Sequence, residues 1–140
     1  GERHARAQVG ALADVPVALP ALPRAQKLQK RAARVKFDWP DSAAVLDKLQ
    51  EEVDELRQAI AAGLQDDVRD ELGDVLFTCV NLARHLGHDA EASLRGSCRK
   101  FEQRFERMEQ LALAESRQLS ELDDDHLDRL WERAKNQSPA

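Results

Sequence analysis

Glu52 and Glu55 precede Gly63, and Glu71 and Asp74 follow it. Each pair has the i, i+3 spacing that places two side chains on one face of a helix. The separations mirror each other: Gly63 lies eleven residues from both Glu52 and Asp74, and eight from both Glu55 and Glu71. A chain that folds back at Gly63 therefore turns the four acids into two facing rungs of an antiparallel helical hairpin. Mutually repelling carboxylates are not gathered for stability alone. Four convergent ones suit Mg²⁺, a hard cation that takes oxygen ligands and shares them with phosphates.

The rest of the chain favours the same all-α class. Over 140 residues there are five prolines, six glycines and no tyrosine, and Ala, Leu, Glu, Arg and Gln are abundant. The length suits one domain with a modest core. Residues 51–74 hold nine acids and two bases, a local charge of −7 within a total of −5. The acidity thus sits at the hairpin, and the remainder sums to +2, which argues against a nucleic-acid binder with a basic face. No uncharged run exceeds nine residues, too short to span a membrane as a helix. Cys79 and Cys98 lack metal-site spacing, and Cys79 falls in an apolar stripe, so the expectation is a buried free thiol in a reducing cytoplasm.

Along the chain, residues 1–13 read as a short helix and 14–23 as an extended linker punctuated by Pro16, Pro20 and Pro23. The start at Gly1, inside what reads as a helix tail, suggests a piece of a longer protein. Arg24–Lys36 is a basic helix with six Lys/Arg and no acid. Phe37–Asp41 is a turn, because the residue before Pro40 avoids helical geometry, and Asp41 or Ser42 can cap the next helix. Helices are expected over about 42–62, 66–86, 90–116 and 123–136, the second ended by Gly87. The division is a segment 1–22 and a helical domain 23–137.

On a helical wheel, Val45, Leu49, Val53, Leu56 and Ile60 form the inward stripe of the first hairpin helix. Glu52 lies roughly 70° and Glu55 roughly 130° from its centre, on one flank, while Glu51 points away. In the second helix Val68, Leu72, Val75, Leu76, Cys79, Ala83 and Leu86 form the stripe, with Glu71 and Asp74 on the same-sense flank. A two-fold relation between the helices brings these flanks together. Val80 and Phe77 lie well off that stripe and require a second surface, from the Phe101/Phe105 helix or another subunit. Leu94, Cys98, Phe101, Phe105 and Met108 are expected inward on the next helix, and Leu127, Leu130 and Trp131 on the last. A di-iron bundle would need Glu-x-x-His, and no histidine here has Glu three residues before it. Taken singly, Lys100 and Arg104 read as salt-bridging residues, Trp131 as core and Lys135 as surface.

Together the blocks KFDWPDSAAVLDKLQEEVDEL, DELGDVLFTCVNLARHLG, LRGSCRKFEQRF and LDRLWERAK resemble the MazG family, over roughly residues 20–136. They look like the C-terminal of its two modules. The resemblance implies the all-α nucleoside triphosphate pyrophosphohydrolase fold and a homodimer, since MazG-like proteins are typically dimeric. It implies hydrolysis of NTP and dNTP to the monophosphate and pyrophosphate with Mg²⁺, or Mn²⁺ as substitute. Glu52, Glu55, Glu71 and Asp74 match the family's metal-binding, catalytic acids. Lys100 and Arg104 match its phosphate-side bases, and Trp131 and Lys135 match residues associated with nucleotide binding. Cys98 departs from a frequent Asn. The alternatives are a dUTP- or dCTP-restricted pyrophosphatase, a phosphoribosyl-ATP pyrophosphohydrolase, or a non-catalytic helical dimerisation module.

Overall fold

The computed structural model describes residues 10–136. Within them lie α1 (Ala21–Arg34), α2 (Ser42–Ala62), α3 (Gln65–His85), α4 (Ala90–Ala114), a single 3₁₀ turn (Leu119–Glu121) and α5 (Asp124–Asn136), with no strand. The expected all-α class is therefore observed. The chain forms two compact units, one ending at Ala92 and the other starting at Ser93. Most of the helix expected over 1–13 lies outside the described residues, and its end, from Gly10, forms turns instead.

The proline-rich stretch is a pair of turns rather than extended chain. Val15 N–H bonds Leu12 O at 3.1 Å, Val15 is buried, and Asp14 pairs with Arg31 at 3.1 Å. α1 begins earlier than the charge pattern suggests, because Pro20 and Pro23 fall at its cap and first turn, where backbone N–H groups lack helical partners anyway.

α2 starts where its chemistry dictates: Asp41 is extended, and its Oδ1 accepts the Ala44 N–H at 2.9 Å. Removing that cap by Asp41→Ala is expected to cost about 1 kcal/mol. A thermal melt should show a loss of about 2–4 °C. At the other end Gly63 adopts φ +72°, and its N–H reaches Ala59 O and Ile60 O. A residue with Cβ is strained there. Only Gly63 and Leu64 separate α2 from α3, so the two helices fold back as an antiparallel hairpin.

The seam of that hairpin differs from the wheel. Val45, Glu52 and Ala59 are buried on α2, with Leu49 and Leu56 half-buried between them. On α3 the covered positions with the same spacing are Val68, Glu71, Val75, Thr78 and Leu82, and Val80 and Asn81 are buried beside them. Both sets alternate three and four residues apart, the coiled-coil period, and Glu52 and Glu71 occupy seam positions. Ile60, Leu72, Leu76, Cys79 and Leu86 are exposed instead. The expected buried thiol is thus an exposed one, although the packing around it still raises the Cys79 pKa through desolvation.

Val80 is buried, and the surface covering this side of α3 is α1. Gln29 Nε2 donates to Phe77 O at 2.9 Å across the α1–α3 contact. The basic run thus presents an apolar side to α3, a role its charge conceals.

In the second unit Met108, Ala112, Leu130 and Ala134 form a small core between α4 and α5, with Leu127 and Trp131 packed on it. Leu94 and Cys98 are exposed rather than inward. Phe101 and Phe105 are exposed too, stacked on each other with 5.9 Å between ring centroids.

Candidate active site

Glu52 and Glu71 meet across the α2–α3 seam. Single oxygens of Glu52, Glu55 and Glu71 lie within 4.8 Å of one another, and so do those of Asp70, Glu71 and Asp74. The two triplets share Glu71. The four acids singled out from sequence are thus brought together through Glu71, not as one equidistant group, and Asp70 joins them.

The electrostatics follow from this crowding of acids. Burial pushes the Glu71 pKa up, and the charge and hydrogen bonding of Glu55, followed by those of Glu52, take it to about 7. Asp74 is also raised, first by burial and then by the charges of Asp70 and Glu52, while Lys48 acts in the opposite direction. Glu52 is 6 % exposed, and its Oε2, like Glu71 Oε2, is shut off from solvent with no hydrogen-bond partner among the described residues when both acids are ionised. Buried carboxylate oxygens left unsatisfied are costly to a fold. Hard oxygen donors, clustered negative charge and two orphaned acceptors together fit a divalent cation.

Lys48 escaped the sequence reading. Its Nζ lies 3.1 Å from Glu52 Oε1 and 3.6 Å from Glu51 Oε2, and the hydrogen bond to Glu52 raises its pKa. The signal available was its i, i+4 spacing to Glu52. Glu51 stays on the exposed side.

The remaining predicted site residues belong to the second unit. Lys100 is exposed. The Arg104 guanidinium carbon sits 5.9 Å from the Trp131 ring centroid, and Phe101 flanks that ring at 5.7 Å. Arg104 Nε is buried with no partner among the described residues, and Lys135 pairs with Glu132 at 3.1 Å.

A helical hairpin with carboxylates in its seam is an all-α arrangement compatible with a cation between the two helices. Residues 41–108 match the MazG nucleotide pyrophosphohydrolase domain. The chain is 44 % identical over 140 aligned residues to the nucleoside triphosphate pyrophosphohydrolase of Escherichia coli strain K12, covering 97 % of this chain and 52 % of that protein. It is 42 % identical to the nucleoside triphosphate pyrophosphohydrolase/pyrophosphatase MazG of Thermotoga maritima, over 84 % of this chain and 45 % of that protein. The chain is thus similar to MazG proteins, with the family's domain matched over residues 41–108. It spans about half the length of these curated relatives.

Proposed function

We propose that this chain hydrolyses nucleoside triphosphates, ribo- or deoxyribo-, to the monophosphate and pyrophosphate, with Mg²⁺ held by Glu52, Glu55, Glu71 and Asp74. The observation that carries this reading is the pair of orphaned, buried carboxylate oxygens in the hairpin seam. A bound cation would neutralise phosphate charge and polarise the phosphorus. The chain's own contribution is to fix the donors on two helices joined by two residues, so the cluster is preorganised. Glu71, with a pKa near 7, must release its proton for the cluster to take a cation at full charge. Lys100 and Arg104 serve the phosphates, and Trp131 and Lys135 the nucleotide. Residues 23–137 form the catalytic module in this reading, working in the cytoplasm as a homodimer. The exposed Ile60, Leu64, Leu72 and Leu76 supply apolar surface for the partner copy.

The names of the relatives support the reaction. Pyrophosphate release from a panel of NTPs and dNTPs, with and without Mg²⁺, tests it. Mg²⁺-dependent pyrophosphate is expected, whereas release of orthophosphate alone would contradict the assignment. Sedimentation should give twice the 15.7 kDa chain mass, and a fully active monomer would refute the dimer.

A further inference from the structure

Beside the acid-bearing face of α3 lies a cavity of about 270 Å³. Gln29, Phe37, Trp39, Phe77 and Asn81 are among its walls, all within the first unit. We propose that this cavity receives the nucleobase of the triphosphate, with Trp39 and Phe37 as its aromatic wall and Gln29 as its polar contact. The assignment rests on reading the hairpin acids as the phosphate end of the substrate site.

Register along α3 places the cavity suitably. Phe77 follows Asp70 by seven residues, and Asn81 follows Asp74 by seven. Seven residues turn the helix through roughly 700°, only about 20° short of two turns, and advance it about 10 Å. Asp70, Asp74 and the cavity walls on α3 therefore lie along one face, next to the seam that carries Glu71, and their separation is one that an extended nucleotide spans between phosphates and base.

The walls have the chemistry of a base site: mostly apolar and aromatic, with few polar groups. Gln29 is 7 % exposed, and its Nε2 is committed to Phe77 O. Its Oε1 is shut off from solvent and has no hydrogen-bond partner among the described residues, so a shift of the side chain that opens this oxygen to the cavity would let it accept an amino or imide N–H of a base, satisfying an acceptor that is otherwise costly to bury. Asn81, 3 % exposed, is held by Arg84, whose Nη2 donates to Asn81 Oδ1 at 2.7 Å.

The aromatic wall is anchored before any ligand arrives. Arg84 Nη2 reaches Asp38 Oδ1 at 2.6 Å, and His85 Nε2 lies 2.8 Å from the same oxygen. Burial works to raise the Asp38 pKa, yet the bonds to Arg84 and His85 prevail and hold it below its ordinary value. This junction ties the turn carrying Phe37 and Trp39 to the end of α3. Preorganisation of that kind lowers the ordering cost of binding.

The test compares ligands with and without a base. Calorimetry would measure binding of a non-hydrolysable NTP analogue, of inorganic tripolyphosphate and of the free nucleoside, each with Mg²⁺, to the full chain. Trp39→Ala is expected to weaken analogue and nucleoside binding about tenfold, the scale of one lost base–aromatic stack. Tripolyphosphate binding should stay within about twofold by the same reasoning. Gln29→Met, which keeps the side chain's shape, should act in the same direction, with circular dichroism confirming that both variants remain folded. Equal weakening of tripolyphosphate and analogue would overturn the proposal, as would unchanged analogue binding in both variants. If the wild type binds nucleoside but not tripolyphosphate, and the variants lose the nucleoside, the base cavity stands and the phosphate reading of the acids falls. Should tripolyphosphate bind but the variants take the analogue like the wild type, the cavity assignment alone fails.

Discussion

Glu52→Gln and Asp74→Asn are each expected to cut turnover more than about 100-fold, since even outer partners of metal ligands cost roughly 10–100-fold. Each change keeps the side chain's shape and removes its charge, so helicity should be preserved. Glu51→Gln, one residue away on the exposed side, should leave turnover within about twofold, because exposed ion pairs such as Lys48–Glu51 contribute little. Steady-state pyrophosphate release from the three variants makes the comparison. Similar losses in all three would remove the distinction between seam and surface on which the site rests.

The second large effect concerns pH and cation together. Glu71 has a native pKa of about 7 against an ordinary 4.5, so between these values the native state holds more protons than the unfolded chain. Stability of the cation-free protein must then fall as pH rises through that window, and level off above it. The raised Asp74 adds a contribution of the same sign. Asp14 and Asp38 are lowered from 3.8, so what they contribute is lost only as pH falls further, outside the window. Melts from about pH 4.5 to 8 in chelator should show the decline. Millimolar Mg²⁺ should reverse it above about pH 7, because a ligand bound only by the native state stabilises that state. Glu71→Gln should flatten the chelator curve while abolishing turnover, trading function for stability. A wild-type curve that rises with pH in chelator would contradict a repelling cluster.

Much of this hairpin is legible in the chain. Gly63 and Gly87 mark backbone positions at positive φ, and Asp41 marks a cap, so helix ends follow from local stereochemistry. The mirror spacing of the acids about Gly63 gives the rungs, and Glu71 and Asp74 do feel Glu55 and Glu52.

The seam was not legible, because α3 carries apolar residues on two faces. A wheel weighted by hydrophobicity turns Leu72, Leu76 and Cys79 inward, whereas the hairpin half-buries Glu71 and buries Thr78. Local preference loses there to a polar site placed at the packing interface, where function is the usual reason for such a conflict. Lys48 and the Gln29 cavity depend on which helices become neighbours, and charge or spacing within one helix does not encode that. The basic run of α1 concealed its apolar side for the same reason.

Mn²⁺ binding, read by electron paramagnetic resonance, tests most directly whether the facing acids of the hairpin hold one functional cation site. At about pH 8, above the Glu71 pKa, the wild type and Glu51→Gln should take up Mn²⁺ with similar affinity. Glu52→Gln and Glu71→Gln should bind it at least about tenfold more weakly. Mg²⁺ should displace the bound ion. Equal Mn²⁺ binding by all four proteins, or none by the wild type with a triphosphate analogue present, would contradict a cation site in the seam.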